Sequence, residues 1–423
     1  MSGTVVMKFG GTSVADAERL KRAARRIVAA REQGSRVVAV LSARGKTTDE
    51  LVAAAEEISP APDPREMDML LSTGERISCA LCAMAIHDLG HRAISLTGSQ
   101  AGIVTDASHT KARILEVRAD RIEAALAEDM IVLVAGFQGV SNHSRDVTTL
   151  GRGGSDTTAV ALAAAVGADV CEIYTDVSGV YSADPRIVPA ARKLEVVSFE
   201  EMLEMAASGA KVLQLRSVEY ARNHGVRIHC RSSFEDGPGT FVVGEQETME
   251  HALITAVTHS TEEARVTLTG VRDEPGAAAR IFEALADANC NVDMIIQNEP
   301  LGEGREGAEL SFTVPREDLR TAREALEPLV DELGIGRIDD EPEMGKVSIV
   351  GAGMKSHPGV AAKVFGTLAG EGINIEMIST SPIKISCVIR ADRVGDAVQA
   401  LHEAFELGAD AIQQERPIGE QSR

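Results

Sequence analysis

An internal repeat in the last third of the chain limits its architecture more than any other feature. Residues 265–270 (RVTLTG) are matched 81 residues later by residues 346–351 (KVSIVG), and after a two-residue insertion the match continues at an offset of 83. The later matches are Pro275-Gly276 with Pro358-Gly359, Phe282 with Phe365, Leu285 with Leu368, and 291–295 (NVDMI) with 374–378 (NIEMI). Each copy has the pattern of a strand, a turn, an amphipathic helix and further strands. We therefore expect two small ferredoxin-like βαββαβ modules.

The region before the repeat alternates short β-branched runs with Ala-rich helical stretches. Strands are predicted over 5–9, 37–41, 130–135 and 170–174, and helices over 16–32 and 159–166. This alternation is typical of an α/β sandwich with a largely parallel sheet, in which ligands bind beyond the carboxyl ends of the strands. The predicted domains are 1–245 for the large domain, 246–263 for a linker, and 264–340 and 341–423 for the modules, with the last strand able to complete the first module instead.

Composition excludes several classes of function. Lys and Arg number 43 against 64 Asp and Glu, so the net charge is −21 and a general nucleic-acid or anionic-membrane binder is excluded. The longest uninterrupted run of apolar residues and glycine, 159–168, is too short to cross a bilayer, and the N-terminus does not have the pattern of a signal peptide. We therefore expect a cytoplasmic protein with neither nucleic acid nor membrane as a partner.

Six cysteines are present, and only Cys79 and Cys82 are close in sequence. Their spacing would suit half a zinc site, but no second Cys/His pair with ligand spacing accompanies them. They lie within a predicted buried helix, residues 77–86 (ISCALCAMAI). The sequence therefore favours two core thiols, and no metal site is predicted.

Two glycine-rich motifs point to chemistry at anions. Residues 8–13 (KFGGTS) follow the first predicted strand, and residues 151–158 (GRGGSDTT) precede a predicted helix. Paired glycines let the backbone approach an anion, and a helix N-terminus offers free N–H groups. Asp156 is either an acid that stabilises the helix start or a carboxylate that orients Lys8. Together the motifs favour an enzyme that handles phosphate over a pair of ordinary turns.

Four segments together resemble one family. They are residues 8–14 (KFGGTSV), 72–76 (STGER), 151–156 (GRGGSD) and 174–186 (YTDVSGVYSADPR). In this order and spacing the chain resembles the aspartate kinases, most closely the monofunctional actinobacterial type. The resemblance implies an amino-acid-kinase (carbamate-kinase-like) αβα sandwich followed by two ACT modules. It also implies transfer of the ATP γ-phosphoryl group to the side-chain carboxylate of L-aspartate, the first step towards lysine, threonine and methionine.

The resemblance also implies roles for individual residues. ATP is the co-substrate, Mg²⁺ bridges its phosphates, and Lys8 and Asp156 are the catalytic pair. Glu75 would bind the substrate ammonium and Arg152 its α-carboxylate, although these side chains could also be a helix-surface acid and a solvated cation. The other substrate candidates are Thr48, Gly153, Gly154 and Ser155. The nucleotide candidates are Lys8, Phe9, Gly10, Gly11, Thr175, Asp176, Tyr181, Arg186, Lys211 and Val212.

The ACT pair implies feedback inhibition by lysine, acting alone or with threonine. The candidate inhibitor residues are Asp273, Asn291, Val292, Asp293 and Gln297 in the first module, and Val360, Ala361, Asn374, Ile375, Ser381 and Pro382 in the second. Ala361 stands where close relatives carry a hydroxyl, and core or turn packing is the alternative role for each candidate. The resemblance also implies a homo-oligomer, or an α₂β₂ assembly with a regulatory fragment that begins near Met249.

Two other functions remain open at this point. Another amino-acid kinase could act on glutamate or its acetyl derivative, but an N-acylated substrate would leave Glu75 without an ammonium partner. A catalytically inactive amino-acid sensor is the second alternative. It would be favoured by the loss of Lys8, Arg152 or Asp156, and all three are present.

Overall fold

A computed structural model describes residues 3–247, 253–298 and 307–408. These residues form two compact units. The first contains the described parts of 1–180, 193–207 and 211–250. The second contains the described parts of 181–192, 208–210 and 251–423.

The first unit is built on an eight-stranded sheet with the strand order β10-β12-β11-β9-β1-β2-β6-β3, accompanied by a smaller sheet with the order β5-β4-β7-β8. In the large sheet only β11 and β12 pair antiparallel. The strands are β1 Thr4–Phe9, β2 Arg36–Leu41, β3 Ala93–Leu96, β4 Ile103–Thr105, β5 Ile114–Val117, β6 Ile131–Ala135, β7 Gln138–Ser141, β8 Val147–Thr149, β9 Val170–Thr175, β10 Val196–Ser198, β11 Ile228–Ser232 and β12 Thr240–Val243. The parallel centre confirms the predicted α/β class.

Helices cover both faces of the large sheet. They are α1 Ala17–Glu32, α2 Thr47–Ile58, α3 Pro64–Leu71, α4 Thr73–Asp88, α5 Asp120–Ala127, α6 Gly154–Ala165, α7 Phe199–Ala207 and α8 Leu215–His224. On one face α1 and α4 share a core with alternate residues of β1, β2 and β6. On the other face α6 packs against β1, β2 and β9. Because both faces are covered, the central strands are apolar along most of their length.

Helix α4 contains the cysteine pair. Cys79 and Cys82 lie in the core shared with α1, and burial raises the pKa of both thiols, that of Cys82 to about 12. The prediction of two core thiols is confirmed. Residues 64–88 are long and apolar enough to cross a membrane by length and composition. They form two successive helices, however, and half of their apolar 18-residue window is buried inside the fold, as in the core helices of many soluble proteins.

The second unit contains one six-stranded sheet with the strand order β14-β15-β13-β16-β18-β17. Its strands are β13 Ala256–Val271, β14 Ile295–Asn298, β15 Ala308–Pro315, β16 Arg337–Val350, β17 Met377–Ser381 and β18 Lys384–Arg390. Its helices are α9 Ala277–Asp287, α10 Leu319–Leu326, α11 Leu329–Leu333, α12 Val360–Gly370 and α13 Val394–Ala404. Each module has its own apolar core.

The long strands β13 and β16 each serve both modules, which differs from the predicted boundaries. Residues 256–263 were expected in a linker, but 256–260 pair with 346–350 and form an edge strand of the second module. The second half of β13 pairs with the first half of β16 and belongs to the first module. The first module is therefore inserted into the second. The strand predicted beyond Ala411 lies outside the described residues.

Candidate active site

The carboxyl ends of β9, β1, β2 and β6 meet at one edge of the large sheet. The turns that follow these strands are hydrogen-bonded to their neighbours: the Ser42 N–H donates to the Phe9 carbonyl at 3.1 Å, and the Gly136 N–H donates to the Leu41 carbonyl at 3.1 Å. Both sequence motifs that were predicted to bind anions lie at this edge, one after β1 and the other at the start of α6. This is the edge at which parallel α/β sheets bind their ligands.

Lys8 and Asp156 form a largely buried ion pair at this edge. The Lys8 Nζ atom lies 2.5 Å from an Asp156 carboxylate oxygen, and the side chains are 12% and 8% exposed. Lys8 lies near the end of β1, and Asp156 lies in the first turn of α6. The cation is therefore held at a fixed place by a carboxylate from the second motif.

The glycines of the first motif allow two turns to approach closely. A Cβ atom at Gly11 would lie 2.9 Å from the Ala43 carbonyl oxygen, closer than a side chain normally comes to backbone. A short 3-10 helix, Gly11–Val14, begins inside the motif, and α1 begins at Ala17 with Asp16 as its N-cap. The helix predicted from residue 16 is therefore present, and the structure adds a tight turn that begins inside the motif.

The second motif forms the start of α6, five residues before the predicted start. Gly153 is the N-cap with a φ of 71°, and a Cβ there would lie 2.1 Å from the Gln214 side chain. Gly154, Ser155 and Asp156 are buried within the helix. Arg152 is exposed in the preceding turn and makes no ion pair with the residues that the structure describes. The motif thus combines a buried acid with an outward cation.

Glu75 is a buried acid in the first turn of α4. The residue is 3% exposed, and its Oε1 atom accepts a hydrogen bond from the Ala43 N–H at 3.1 Å. Its Oε2 atom is buried without a hydrogen-bond partner in the described part of the chain. Burial raises the pKa of Glu75 to about 7 against the opposing effect of nearby N–H groups and Arg76. Glu75 is therefore not a helix-surface acid, and one of its oxygens lacks a donor.

The remaining substrate candidate lies on the neighbouring helix. Thr48 is half-buried in the first turn of α2, which follows the β2 turn. Lys46 is exposed, and Arg44 is directed to the Val14 and Ala15 carbonyls at 3.4 and 3.3 Å. Arg44 therefore has backbone partners of its own.

The chain is similar to known proteins over most of its length. Residues 3–232 match the amino acid kinase family, and residues 265–331 and 347–405 each match an ACT domain. The aspartokinase of Mycobacterium tuberculosis is 57% identical over 409 residues, which cover 96% of this chain and 97% of that protein. The chain belongs to the aspartokinase family.

Solved structures of the aspartokinase family agree with the fold. E. coli aspartokinase III in complex with aspartate and ADP matches with a TM-score of 0.81 at 28% identity, covering 95% of this chain and 99% of that chain. The complex of the same E. coli protein with lysine and aspartate matches with a TM-score of 0.72 at the same identity and coverage. These matches confirm the predicted kinase sandwich and tandem ACT modules.

The predicted nucleotide residues of this aspartokinase-family chain are divided between the two units. Thr175 and Asp176 follow β9, and the Thr175 hydroxyl donates to the Asp176 carboxylate at 3.0 Å. Lys211 and Val212 precede α8 in the same unit. The Phe9 ring is stacked on Tyr174 in the core, with ring centroids 4.8 Å apart, so its side chain is structural.

Tyr181 and Arg186 belong instead to the segment 181–192, which packs with the second unit. Arg186 pairs there with Asp184 at 2.6 Å, and Ala183 and Val188 contribute to the core of the second ACT module. The sequence presented 174–186 as one motif, whereas the structure assigns its two ends to different units. The nucleotide roles of Tyr181 and Arg186 stay predictions.

Phe137 was not predicted as a site residue from the sequence, although it lies between the end of β6 and the start of α6. It has a φ of 67°, which is uncommon for a bulky residue, and its N–H donates to the Thr158 hydroxyl of α6 at 3.2 Å. A Cβ at Gly154 would lie 2.9 Å from the Phe137 ring. Its one sequence signal is its place directly after Gly136, where β6 ends.

The first ACT module contains a cavity of about 100 Å³ at the N-terminus of α9. Asp273 and Gln297, both predicted inhibitor residues, line it together with Arg272 and Glu274. Asn291 is exposed, and Val292 packs against the module core. Asp273 and Gln297 are thus brought together, while the other three candidates are not in the cavity lining.

Asp293 lies against the second module rather than in this cavity. Its carboxylate is 2.5 Å from Nζ of Lys346, a residue of β16 that is only 4% exposed. Asp293 was predicted as an inhibitor contact, but the structure gives it a protein partner. The ion pair with Lys346 gives Asp293 a structural role that needs no bound inhibitor.

The candidates of the second module lie at the corresponding elements. Val360 is buried at the start of α12, and Ala361 and Ile375 pack against the same core. The Asn374 amide donates to Glu376 at 2.9 Å, and the Ser381 hydroxyl accepts from the Ile383 N–H at 3.4 Å, with Pro382 between them in the turn. Packing and turn contacts account for most of these side chains.

Proposed function

We propose that this chain is an aspartate kinase, which transfers the ATP γ-phosphoryl group to the side-chain carboxylate of L-aspartate and releases 4-phospho-L-aspartate and ADP. The observation that carries the proposal is the buried Glu75 oxygen without a donor. A buried acceptor without a partner is costly, and a substrate ammonium would satisfy it. This favours an amino acid with a free amino group over an N-acylated one.

Lys8 stabilises the charge that develops on the transferred phosphoryl group. It is a compact point charge held 2.5 Å from Asp156, so it needs little reorganisation during the reaction. Asp156 positions Lys8 and is not a nucleophile. The substrate carboxylate is already ionised at neutral pH, so no general base is needed. Catalysis then depends on placing two anions in line and offsetting their repulsion.

The remaining assignments follow from position. Arg152 is exposed and unpaired among the described residues, so its guanidinium is available to a substrate α-carboxylate. Thr48 and Ser155 bind the same substrate, with the backbone of Gly153 and Gly154. The Gly10 N–H donates to the Tyr174 carbonyl at 3.3 Å, so the Gly11 N–H is the backbone donor to the ATP phosphates, with Gly10 letting the phosphates approach. Lys211 reaches the phosphates, and Thr175, Asp176 and Val212 contact the nucleotide.

Mg²⁺ fits this site as a companion of ATP. Among the described residues no group of three or more His, Cys, Asp or Glu side chains could hold a metal ion. Mg²⁺ in phosphoryl-transfer sites is held largely by the phosphates and water, so such a group is not required. The ion would offset phosphate charge when it enters with the nucleotide.

The ACT modules provide feedback inhibition by lysine, acting alone or with threonine. The cavity of the first module offers Asp273 to an ammonium group and the N-terminus of the eleven-residue helix α9 to a carboxylate. These groups suit a free amino acid. To inhibit, the ligand must bind an inactive state more tightly than an active one.

The cellular setting follows from the same assignment. The enzyme performs the first step towards lysine, threonine and methionine in the cytoplasm, as a homo-oligomer or as an α₂β₂ assembly with a fragment that begins near Met249. Met249 lies outside the described residues. A size measurement of the purified product of the full gene would separate these assemblies by mass.

A hydroxylamine assay tests the activity, because acyl phosphates are trapped as hydroxamates. We expect Mg-ATP-dependent hydroxamate with aspartate, far less with glutamate or N-acetylglutamate, and suppression by lysine. Turnover with glutamate but not aspartate would show that the chain is the alternative amino-acid kinase, which acts on glutamate. Amino-acid binding without turnover of any substrate would make the chain an inactive sensor.

A further inference from the structure

Asp68 is a fully buried carboxylate that lies outside both glycine-rich motifs. Its oxygens lie 2.6 Å from His109 Nδ1 and accept hydrogen bonds from the Thr110 N–H at 3.1 Å and the Thr149 hydroxyl at 2.6 Å. A buried carboxylate is costly unless it is fully hydrogen-bonded, so this cluster holds its members in one arrangement.

Two members of the cluster lie a few residues before the predicted substrate residues along the chain. Asp68 lies in α3, which is followed at once by α4 with Glu75 in its first turn. Thr149 is the last residue of β8 and is followed by Leu150 and the turn that contains Arg152. One carboxylate thus joins the chain segment before Glu75 to the chain segment before Arg152.

The turn is held from its other side by Arg216 of α8. The half-buried guanidinium donates to the Leu150 carbonyl at 2.9 Å and to the Ala112 carbonyl at 2.8 Å. The Ala112 N–H in turn donates to the Thr149 carbonyl at 2.9 Å. The entry to the turn is therefore fixed between the buried carboxylate of Asp68 and the half-buried guanidinium of Arg216.

We propose that Asp68 is a positioning residue that sets the separation between Glu75 and Arg152, and with it the fit of the amino-acid substrate. Asp68 contacts no substrate atom and acts through these two residues, so the inference rests on the roles proposed for them. Small displacements of groups that orient a substrate can cost about a hundredfold in rate. The hydrogen bonds of Asp68 reach His109, Thr110 and Thr149, and none of them involves the nucleotide candidates Thr175 and Asp176 after β9.

Two adjacent threonines of β8 offer a matched pair of variants. Thr149 and Thr148 are both fully buried, but the Thr148 hydroxyl bonds Thr105 at 2.6 Å within the small sheet and does not reach Asp68. Thr149→Val should raise the KM for aspartate about tenfold and leave the KM for ATP within about twofold. Thr148→Val should lose similar thermal stability with both KM values unchanged, and Thr149→Ser, which keeps the hydroxyl, should restore the aspartate KM.

Asp68→Asn should change the aspartate KM in the same direction and by more than Thr149→Val. If Asp68→Asn does not fold, the threonine pair still decides the matter. An unchanged aspartate KM in folded Thr149→Val, or equal shifts in Thr149→Val and Thr148→Val, would overturn the proposal. Absence of aspartate turnover in the unmodified enzyme would instead refute the proposed function.

Discussion

Glu75 in the kinase unit and Lys346 in the ACT unit are almost equally buried, at 3% and 4% exposed, but their surroundings differ. One Glu75 oxygen has no donor in the described structure, and burial raises the pKa of this acid to about 7. Lys346 lies 3.3 Å from Glu263 and 2.5 Å from Asp293. Burial lowers the Lys346 pKa, but the two carboxylates outweigh it and the pKa is raised. The Glu75 carboxylate thus has an oxygen left over for a ligand, whereas the Lys346 ammonium is satisfied by carboxylates of the fold.

The satisfied charges of the ACT unit follow the internal repeat. Arg265 occupies the repeat position of Lys346, and Glu376 that of Asp293. Lys346 of the second module reaches Asp293 of the first, while Arg265 of the first reaches Glu376 of the second at 3.0 Å. The modules therefore exchange ion pairs reciprocally, and we call these two pairs the module joint. The comparison predicts that charge changes at the kinase edge reduce turnover, whereas changes at the module joint reduce stability.

The largest effect is expected from Lys8→Ala. Loss of one preorganised group that stabilises developing charge typically costs about a hundredfold to a thousandfold in turnover, and Lys8 is a largely buried cation held at this edge. We expect kcat to fall about a thousandfold while lysine binding to the ACT unit persists. Hydroxamate formation and lysine titration measure the two properties.

Lys8→Arg is the matched control for this variant. It keeps a positive charge beside Asp156, so the fold should persist, but the planar guanidinium cannot replace a compact ammonium at the phosphoryl oxygens. Turnover should therefore still be low. Normal kcat in Lys8→Ala would remove Lys8 from its proposed role and contradict the comparison at the kinase edge. Normal kcat in Lys8→Arg alone would show that a positive charge suffices and that the compact ammonium is not required.

Much of this edge was predictable because its signals are local. A strand that ends in Lys8-Phe-Gly-Gly and a glycine-rich segment before a helix are each contiguous, and parallel strands bring their ends to one edge. The start of α6 was predicted five residues late, because Gly and Ser disfavour helix interiors in isolation. Asp68 was missed because an acid within an amphipathic helix looks like a surface residue until its distant partners are known.

The insertion of one ACT module into the other could not be predicted from the repeat. The sequence match begins only at residue 265, so 256–260 cannot be recognised as the counterpart of 337–341, and strand propensity does not specify a partner. Their pairing with 346–350 joins segments about ninety residues apart. The division of 174–186 between the units was hidden for a similar reason, since a contiguous motif does not reveal which core each of its residues joins.

The next effect is expected from Lys346→Met at the module joint. This change leaves Glu263, whose side chain is 12% exposed, without its cation. Removal of one partner from a buried ion pair costs about 3 kcal/mol or more. We expect the ACT unit to unfold at a clearly lower temperature in calorimetry, while kcat without lysine changes little.

Asp273→Ala sharpens the same comparison within the ACT unit. Asp273 is exposed and lines the cavity of the first module, so its loss should change stability by no more than about 0.5 kcal/mol. It should nevertheless raise the lysine concentration needed for inhibition. Equal melting temperatures for Lys346→Met and Asp273→Ala would show that the module joint contributes no more stability than an exposed side chain.

The smallest effect concerns the pH dependence of substrate binding through Glu75. Its pKa of about 7 in the unliganded fold lies above the ordinary 4.5, because burial disfavours the charged form. Stability from the protonated carboxyl is present below pH 4.5 and is lost as the pH rises through 7. Binding of a substrate ammonium requires the ionised form, so the KM for aspartate should rise about tenfold from pH 8 to pH 6.

Glu75→Gln separates this cause from titration elsewhere. The neutral amide cannot form the ion pair, so its aspartate KM should be high at pH 8 and should change little down to pH 6. The carboxyl and ammonium groups of aspartate do not titrate in this interval, which leaves Glu75 as the titrating partner in substrate binding. If the KM of Glu75→Gln rises by the same factor, another group causes the pH dependence. Glu75 would then be, like Lys346, a buried charged residue that binds no ligand.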